Sequence, residues 1–140
     1  MTVRADNAGG YTGQFYNQWD TPNDWSYASP NGGILSNTTT AVTIKAAATA
    51  AGGIAQRNYI TSFQIFASAQ GAASEFVIRD GAAGTVVFRM PVTTAGLPSG
   101  FTITFDTPLR STAGTLLEVA TVTANTSGTF AVNAQGYTGP

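Results

Sequence analysis

The sequence predicts an all-β protein, an antiparallel β-sandwich or jelly roll with an extended aromatic N-terminal arm. From Ile34 onward, short segments alternate apolar and polar side chains with a period of two, which is typical of half-buried strands. Loops rich in Gly, Pro, Asn and Thr separate these segments. The alanine-rich run 46–53 is too short for a stable helix and ends in two glycines. We therefore predict an arm over residues 1–33 and a sandwich domain over residues 34–140.

The clearest element is a β-hairpin over residues 75–90, with a glycine-containing turn at 80–84. We expect Asp80 to bond the turn backbone through its side chain, and Gly81 and Gly84 to adopt positive φ. The inward positions of the two strands are Phe76, Ile78, Val86, Phe88 and Met90. The apolar face of this hairpin needs a second layer to cover it, which the remaining strands would supply.

Further strands are predicted at 40–45, 58–69, 101–106, 115–123 and 129–134. In the strand at 115–123 two inward sets compete, one with Leu117 and Val119 and the other with Leu116 and Ala120. We predict that the C-terminal tail, residues 135–140, is exposed and that at most the Tyr137 side chain packs on the domain. The predicted core consists of Val42, Ile44, Phe63, Ile65, Phe76, Ile78, Val86, Phe88, Phe101, Ile103, Phe105, Leu117, Val119, Phe130 and Val132.

The N-terminal arm differs in composition from the rest of the chain. It holds both tryptophans and three of the five tyrosines, without a sustained period. Such rings pack on their own domain or lie across a neighbouring subunit. A third use is stacking on carbohydrate, with Trp19, Trp25 and Tyr27 as platforms, although few polar groups stand nearby. We predict a protein interface whose aromatic members are Tyr11, Phe15, Tyr16, Trp19, Trp25 and Tyr27.

Composition excludes most catalytic chemistry. The chain has no histidine and no cysteine, which removes the imidazole base, the thiol nucleophile and thiolate or imidazole zinc sites. The carboxylate pairs available to a glycosidase are Asp20 with Asp24, Glu75 with Asp80 and Asp106 with Glu118, and each falls at a turn, an outward position or a strand end. A net charge of −1 from scattered residues predicts no nucleic-acid or membrane partner. We expect no catalytic residue, no cofactor and no metal.

Arg79 and Arg89 flank the turn of the hairpin on its predicted outer face, beside Val77 and Val87. Two interpretations stay open for the arginines. Either they form a solvated face, with Glu75 as a weak partner, or they meet a carboxylate of another subunit. Because two exposed valines accompany them, we predict that this face contacts a partner.

Several segments resemble a family of small virion proteins encoded by tailed bacteriophages. The matching segments are Asp24-Trp-Ser-Tyr-Ala28, 40–48, Arg57-Asn-Tyr-Ile-Thr-Ser62, 75–81, 84–89, 115–119 and 132–139. The resemblance implies a capsid decoration (cement) protein with a jelly-roll core. Such proteins sit on the outer surface of the phage head, commonly as homotrimers that bind the major capsid protein.

The resemblance brings no catalytic residue with it. We therefore expect a structural protein of the virion that stabilises the head. Because the first ten residues contain no apolar run typical of an export signal, we expect assembly in the host cytoplasm. The alternative is a tail or head fibre module that binds host-surface carbohydrate.

Overall fold

The computed structural model describes residues 23–140 of the chain. These residues form eight β-strands, and none of them belongs to a helix that could cross a membrane. The strands are β1 (Asn23–Ala28), β2 (Val42–Lys45), β3 (Arg57–Ala67), β4 (Ser74–Asp80), β5 (Thr85–Val92), β6 (Leu97–Arg110), β7 (Leu117–Thr121) and β8 (Phe130–Gly139).

The strands form two antiparallel sheets of four. The first sheet has the order β1-β8-β3-β6 and the second has the order β2-β7-β4-β5. In sequence terms β1 pairs with β8, β2 with β7, β3 with β6 and β4 with β5. The chain is thus one long hairpin whose two halves wrap around a common core. This is the jelly-roll arrangement, and the predicted fold class is confirmed.

The core lies between the sheets and is centred on three phenylalanines. The ring of Phe76 in β4 lies 5.7 Å from that of Phe63 in β3 and 5.5 Å from that of Phe130 in β8. All three side chains are buried. Each belongs to a strand with neighbours on both sides. Full burial of a side chain of this size contributes about 1.5–3 kcal/mol.

Position in the sheet decides how well the predicted core residues are covered. The buried ones are Ile44, Phe63, Ile65, Phe76, Ile78, Leu117, Val119, Phe130 and Val132. The half-buried ones are Val42, Val86, Phe88, Ile103 and Phe105, and Phe101 is exposed. Except for Ile44, all the buried ones belong to central strands, whereas the half-buried and exposed ones belong to the edge strands β2, β5 and β6. The prediction that Phe101 is a core residue is wrong, because its edge strand has a neighbour on one side only.

One strand lies in the segment that was predicted to be an arm. β1 pairs along its whole length with β8, from Asn23 opposite Thr138 to Ala28 opposite Asn133. The expectation that this stretch holds no strand is therefore wrong. Its alternation of half-buried Trp25 and Tyr27 with exposed residues is too short to stand out in the sequence. Pairing with a strand more than a hundred residues later decides its structure.

The alternation of β3 changes at a bulge. The sequence placed Tyr59 and Thr61 on the same face as Phe63, but register shifts between Ile60 and Ser62 move the earlier residues to the other face. As a result Ile60 is fully buried and Tyr59 lies on the outer face. There its ring stacks on that of Tyr137 at 4.6 Å.

Two further strands extend beyond their predicted bounds. β8 continues to Gly139, so the tail that was predicted to be exposed is part of a central strand. β6 spans 14 residues and includes Pro98 and Pro108. Proline lacks a backbone donor and is tolerated here because one side of β6 has no neighbouring strand.

Candidate interaction surface

The two arginines of the β4–β5 hairpin have different partners. Arg89 Nη1 lies 3.4 Å from Glu75 Oε2, and its side chain is 62% exposed. Arg79 Nη1 donates to Glu118 Oε1 at 3.3 Å, and its side chain is 22% exposed. Arg89 is therefore the arginine that remains accessible to another molecule, while Arg79 is committed to its own domain.

Glu118 is a buried carboxylate that the sequence placed on an outward position. Besides Arg79, it accepts a hydrogen bond from the backbone N–H of Ala83 at 2.8 Å. Its predicted exposure is wrong because β7 is a central strand whose every residue is buried. The same holds for Val77, which was predicted to be exposed and is fully buried opposite Ala120. Val87, on the edge strand, was also predicted to be exposed, yet it is half-buried and packs against the core in place of Val86, because the β4–β5 register shifts between Ile78 and Arg79.

Asp80 anchors a different loop from the one predicted. Its carboxylate accepts hydrogen bonds from Thr115 Oγ1 at 2.6 Å, Thr112 Oγ1 at 2.7 Å and Thr112 N–H at 2.9 Å. Burial raises the pKa of Asp80, but these hydrogen bonds and the charge of Arg57 outweigh it and lower the pKa overall. Asp80 thus joins the end of β4 to the loop before β7, and Glu118 bonds the hairpin turn instead.

The turn itself departs from prediction at one glycine. Gly81 has a φ of 89°, as expected, but the second positive φ belongs to Ala83 at 53° rather than to Gly84. A Cβ at Gly84 would collide with the backbone carbonyl of Asp80. Gly84 is therefore required for close approach and not for its backbone angle.

Trp25 and Tyr27 pack against their own domain. Both side chains are half-buried and pack against the buried residues of the core. Lys45 Nζ lies 5.6 Å from the centre of the Trp25 ring, within the range of a cation–π contact. The Trp25 Nε1 donor is buried without a hydrogen-bond partner among residues 23–140. Of the alternatives for these two rings, the structure supports packing on the same chain.

The other aromatic residues of the predicted interface, Tyr11, Phe15, Tyr16 and Trp19, lie outside the described residues. Their predicted role stays a prediction.

A partly uncovered apolar surface lies where β5 and β6 face each other along one side of the sandwich. The rings of Phe88 in β5 and Phe105 in β6 meet edge-on at 6.1 Å and link the two sheets. None of the 14 residues of β6 is buried. We call this surface the β5–β6 side; its large apolar members are Phe88, Met90, Phe101, Ile103, Phe105 and Leu109.

The sequence assigned most of these side chains to the core and so missed the surface. The feature of the sequence that could have identified this side as a sheet edge was proline. Pro91 in β5 and Pro98 and Pro108 in β6 are typical of edge strands. They also interrupt backbone pairing, so this side is unsuited to continuous strand addition. What it offers to a partner is apolar side chains.

No group of three or more side chains that could hold a metal ion occurs in residues 23–140. Three of the carboxylates considered for acid–base chemistry have structural partners: Glu75 pairs with Arg89, Asp80 with Thr112 and Thr115, and Glu118 with Arg79.

Comparison with solved structures gives distant matches, among them proteins of two viruses. No protein-family model and no curated protein matches the sequence. The chain is similar to a protein of the Macrobrachium rosenbergii extra small virus particle, with a TM-score of 0.38 and 12% identity over 98% of this chain and 94% of that chain. It is also similar to infectious bursal disease virus proteins of the Gx strain, with a TM-score of 0.34 and 16% identity, and of the VP2 subviral particle, with a TM-score of 0.25 and 15% identity.

These two matches cover 86% and 85% of this chain but only 30% of the viral proteins. At such TM-scores the likenesses carry no argument about function.

Proposed function

We propose that this protein is a non-enzymatic structural protein of a virus particle, a capsid decoration protein of a tailed bacteriophage. It binds the outer surface of the head through the major capsid protein and through its own copies, most simply as a homotrimer. The supporting features are the resemblance to small phage virion proteins, the jelly-roll core and the absence of histidine and cysteine.

The observation that carries the proposal is the β5–β6 side. A monomeric β-sandwich normally covers the inward residues of its edge strands, yet here Phe88, Ile103 and Phe105 are half-buried and Phe101 is 41% exposed. Partly uncovered apolar side chains grouped along one side of the sandwich support a contact with another protein. At about 25 cal/mol per Å², covering it would contribute to association.

The proposal is tested by a pair of matched substitutions. Phe101 and Val122 are the two exposed large apolar side chains among residues 23–140, at 41% and 52%. Phe101 belongs to the β5–β6 side, whereas Val122 follows β7 at the other sheet. Phe101→Ser should reduce self-association and binding to heads that lack the protein, while Val122→Ser should leave both unchanged.

Self-association is measured by sedimentation velocity, and head binding by co-sedimentation. Equal binding by wild type and Phe101→Ser would refute the role of this side. The copy number in purified virions tests the location, since hundreds of copies indicate decoration and a few dozen indicate a tail or fibre part.

A further inference from the structure

A groove of about 580 Å³ crosses the outer face of the first sheet at the β1 edge. Its floor is formed where β1 pairs with β8, with Trp25 opposite Gly136. The groove is lined by Asp24, Trp25, Ser26, Thr61, Gln135, Gly136 and Tyr137. The volume is in the range of small-molecule sites, about 300–1,000 Å³. β1 and β6 are opposite edges of this sheet, so the groove is separate from the β5–β6 side.

One aromatic ring is held rigidly beside the groove. Tyr137 stacks on Tyr59 with an interplanar angle of 14°, and the Tyr59 hydroxyl donates to the carbonyl of Pro140 at 2.7 Å. One face of the half-buried Tyr137 ring is therefore occupied by Tyr59, and Tyr137 also lines the groove. A ring fixed before binding loses little entropy when it stacks on a flat partner.

The polar groups of the groove are also oriented before binding. Ser62 Oγ donates to Gln135 Oε1 at 3.3 Å, and Thr61 Oγ1 donates to the Gln135 carbonyl at 3.1 Å. The carboxamide oxygen of Gln135 is thus used, while its nitrogen has no partner within residues 23–140. Asp24 lines the same groove opposite Tyr137 in the β1–β8 pairing, is exposed, and takes part in no ion pair of the described chain. The groove is therefore lined by a carboxylate acceptor, an amide donor and an aromatic ring.

A second, smaller groove of about 160 Å³ continues across the same face. It shares Gln135 with the first, and its amides are linked in a chain. Asn133 Nδ2 donates to Gln64 Oε1 at 2.9 Å, and Gln64 Nε2 donates to Thr102 Oγ1 at 3.1 Å. The surface thus offers hydroxyl and amide groups over three strands without a further charge.

We propose that this pair of grooves binds a neutral oligosaccharide. The apolar face of one sugar ring stacks on Tyr137, and its hydroxyls donate to Asp24 and accept from Gln135. The next sugar lies along Gln64 and Asn133. The single lining charge is negative, which disfavours phosphate or nucleic acid, and one carboxylate is too few ligands for a divalent cation. The inference rests on the grooves alone and is independent of the assembly through the β5–β6 side.

The test uses the full chain and short gluco-, galacto- and manno-oligosaccharides, with binding measured by calorimetry. At least one series should bind, and longer members should bind more tightly. Gln135→Ala and Asp24→Asn should each weaken binding about tenfold, equivalent to about 1.4 kcal/mol. Asp106→Asn, an exposed carboxylate of β6 outside both grooves, is the matched control and should bind like wild type.

Asn133→Ala separates the two grooves, because it should weaken only the longer oligosaccharides. Urea unfolding of each variant checks that the fold is retained. The proposal is overturned if no series binds, if Asp24→Asn and Gln135→Ala bind like wild type, or if Asp106→Asn loses as much affinity as they do. Binding of a charged oligosaccharide in place of every neutral one would also overturn it.

Discussion

Glu118 accepts a hydrogen bond from the backbone N–H of Ala83 at 2.8 Å, so a residue of β7 holds the turn of the β4–β5 hairpin. Ala83 has a positive φ, which is unfavourable for a residue with a Cβ. Since the same carboxylate bonds Arg79, one buried side chain connects the turn, β4 and β7.

The first prediction follows from this contact. Glu118→Ala leaves the Ala83 N–H and the largely buried Arg79 without their partner, and we expect a loss of about 2–4 kcal/mol in unfolding free energy. Glu75→Ala removes the partner of the exposed Arg89 on the same hairpin and should cost less than about 1 kcal/mol. Urea unfolding of both variants measures the difference. Equal losses would show that burial of the Glu118 pair is unimportant.

The second prediction concerns acid stability. The pKa of Asp80 is lowered below its ordinary value of 3.8 in the folded protein. Its contribution is therefore fully present above the unfolded pKa and is lost as pH falls through the lower folded pKa. Asp80→Asn should cost about 1–2 kcal/mol near neutral pH and should flatten the decline of stability in acid. Urea midpoints measured across this range test it, and parallel pH profiles for variant and wild type would contradict it.

The third prediction compares two phenylalanines that the sequence assigned to the same core. Phe76→Ala should cost about 3–5 kcal/mol, because Phe76 is fully buried among Phe63 and Phe130. Phe101→Ala should cost less than about 1 kcal/mol in the monomer, since its side chain is already 41% exposed. Thermal and urea unfolding at low protein concentration give both values. A large loss for Phe101→Ala would place that ring in the core after all.

The fourth prediction tests the predicted interface role of Arg89. Arg89→Glu should change monomer stability by less than about 1 kcal/mol, because the ion pair with Glu75 is exposed. If a carboxylate of another subunit contacts Arg89, this variant should lose assembly. The double variant Glu75→Arg with Arg89→Glu restores the internal pair and should still fail to assemble. Normal assembly of both variants would leave Arg89 as a solvated residue.

The fifth prediction concerns truncation before β1. Removal of residues 1–22 retains the eight strands of residues 23–140, so this variant should keep the β fold. Removal of residues 1–30 deletes β1, with Trp25 and Tyr27, and uncovers the edge of β8. That variant should lose several kcal/mol or fail to fold. If the aromatic segment contacts neighbours, the shorter truncation alone should abolish head binding, and full binding by it would refute that contact.

The candidate surfaces were less predictable than the strands. Alternation identified the inward face of β4, β7 and β8 correctly because these strands are central. It also predicted Phe88 and Phe105 to be core residues, since an edge strand has the same alternation as a central strand. Asp24 lines one groove together with Gln135 and Tyr137. No local sequence pattern predicts that residues so distant along the chain lie side by side.

Composition and local periodicity are enough to predict an all-β sandwich with Phe63, Phe76 and Phe130 in its core, and they exclude imidazole and thiol chemistry. The folded chain was needed to show that residues 23–28 form a strand, that Glu118 is buried, and that the β5–β6 side stays partly uncovered. The reason is that strand pairing is non-local, and a side chain's burial depends on which strand becomes its neighbour.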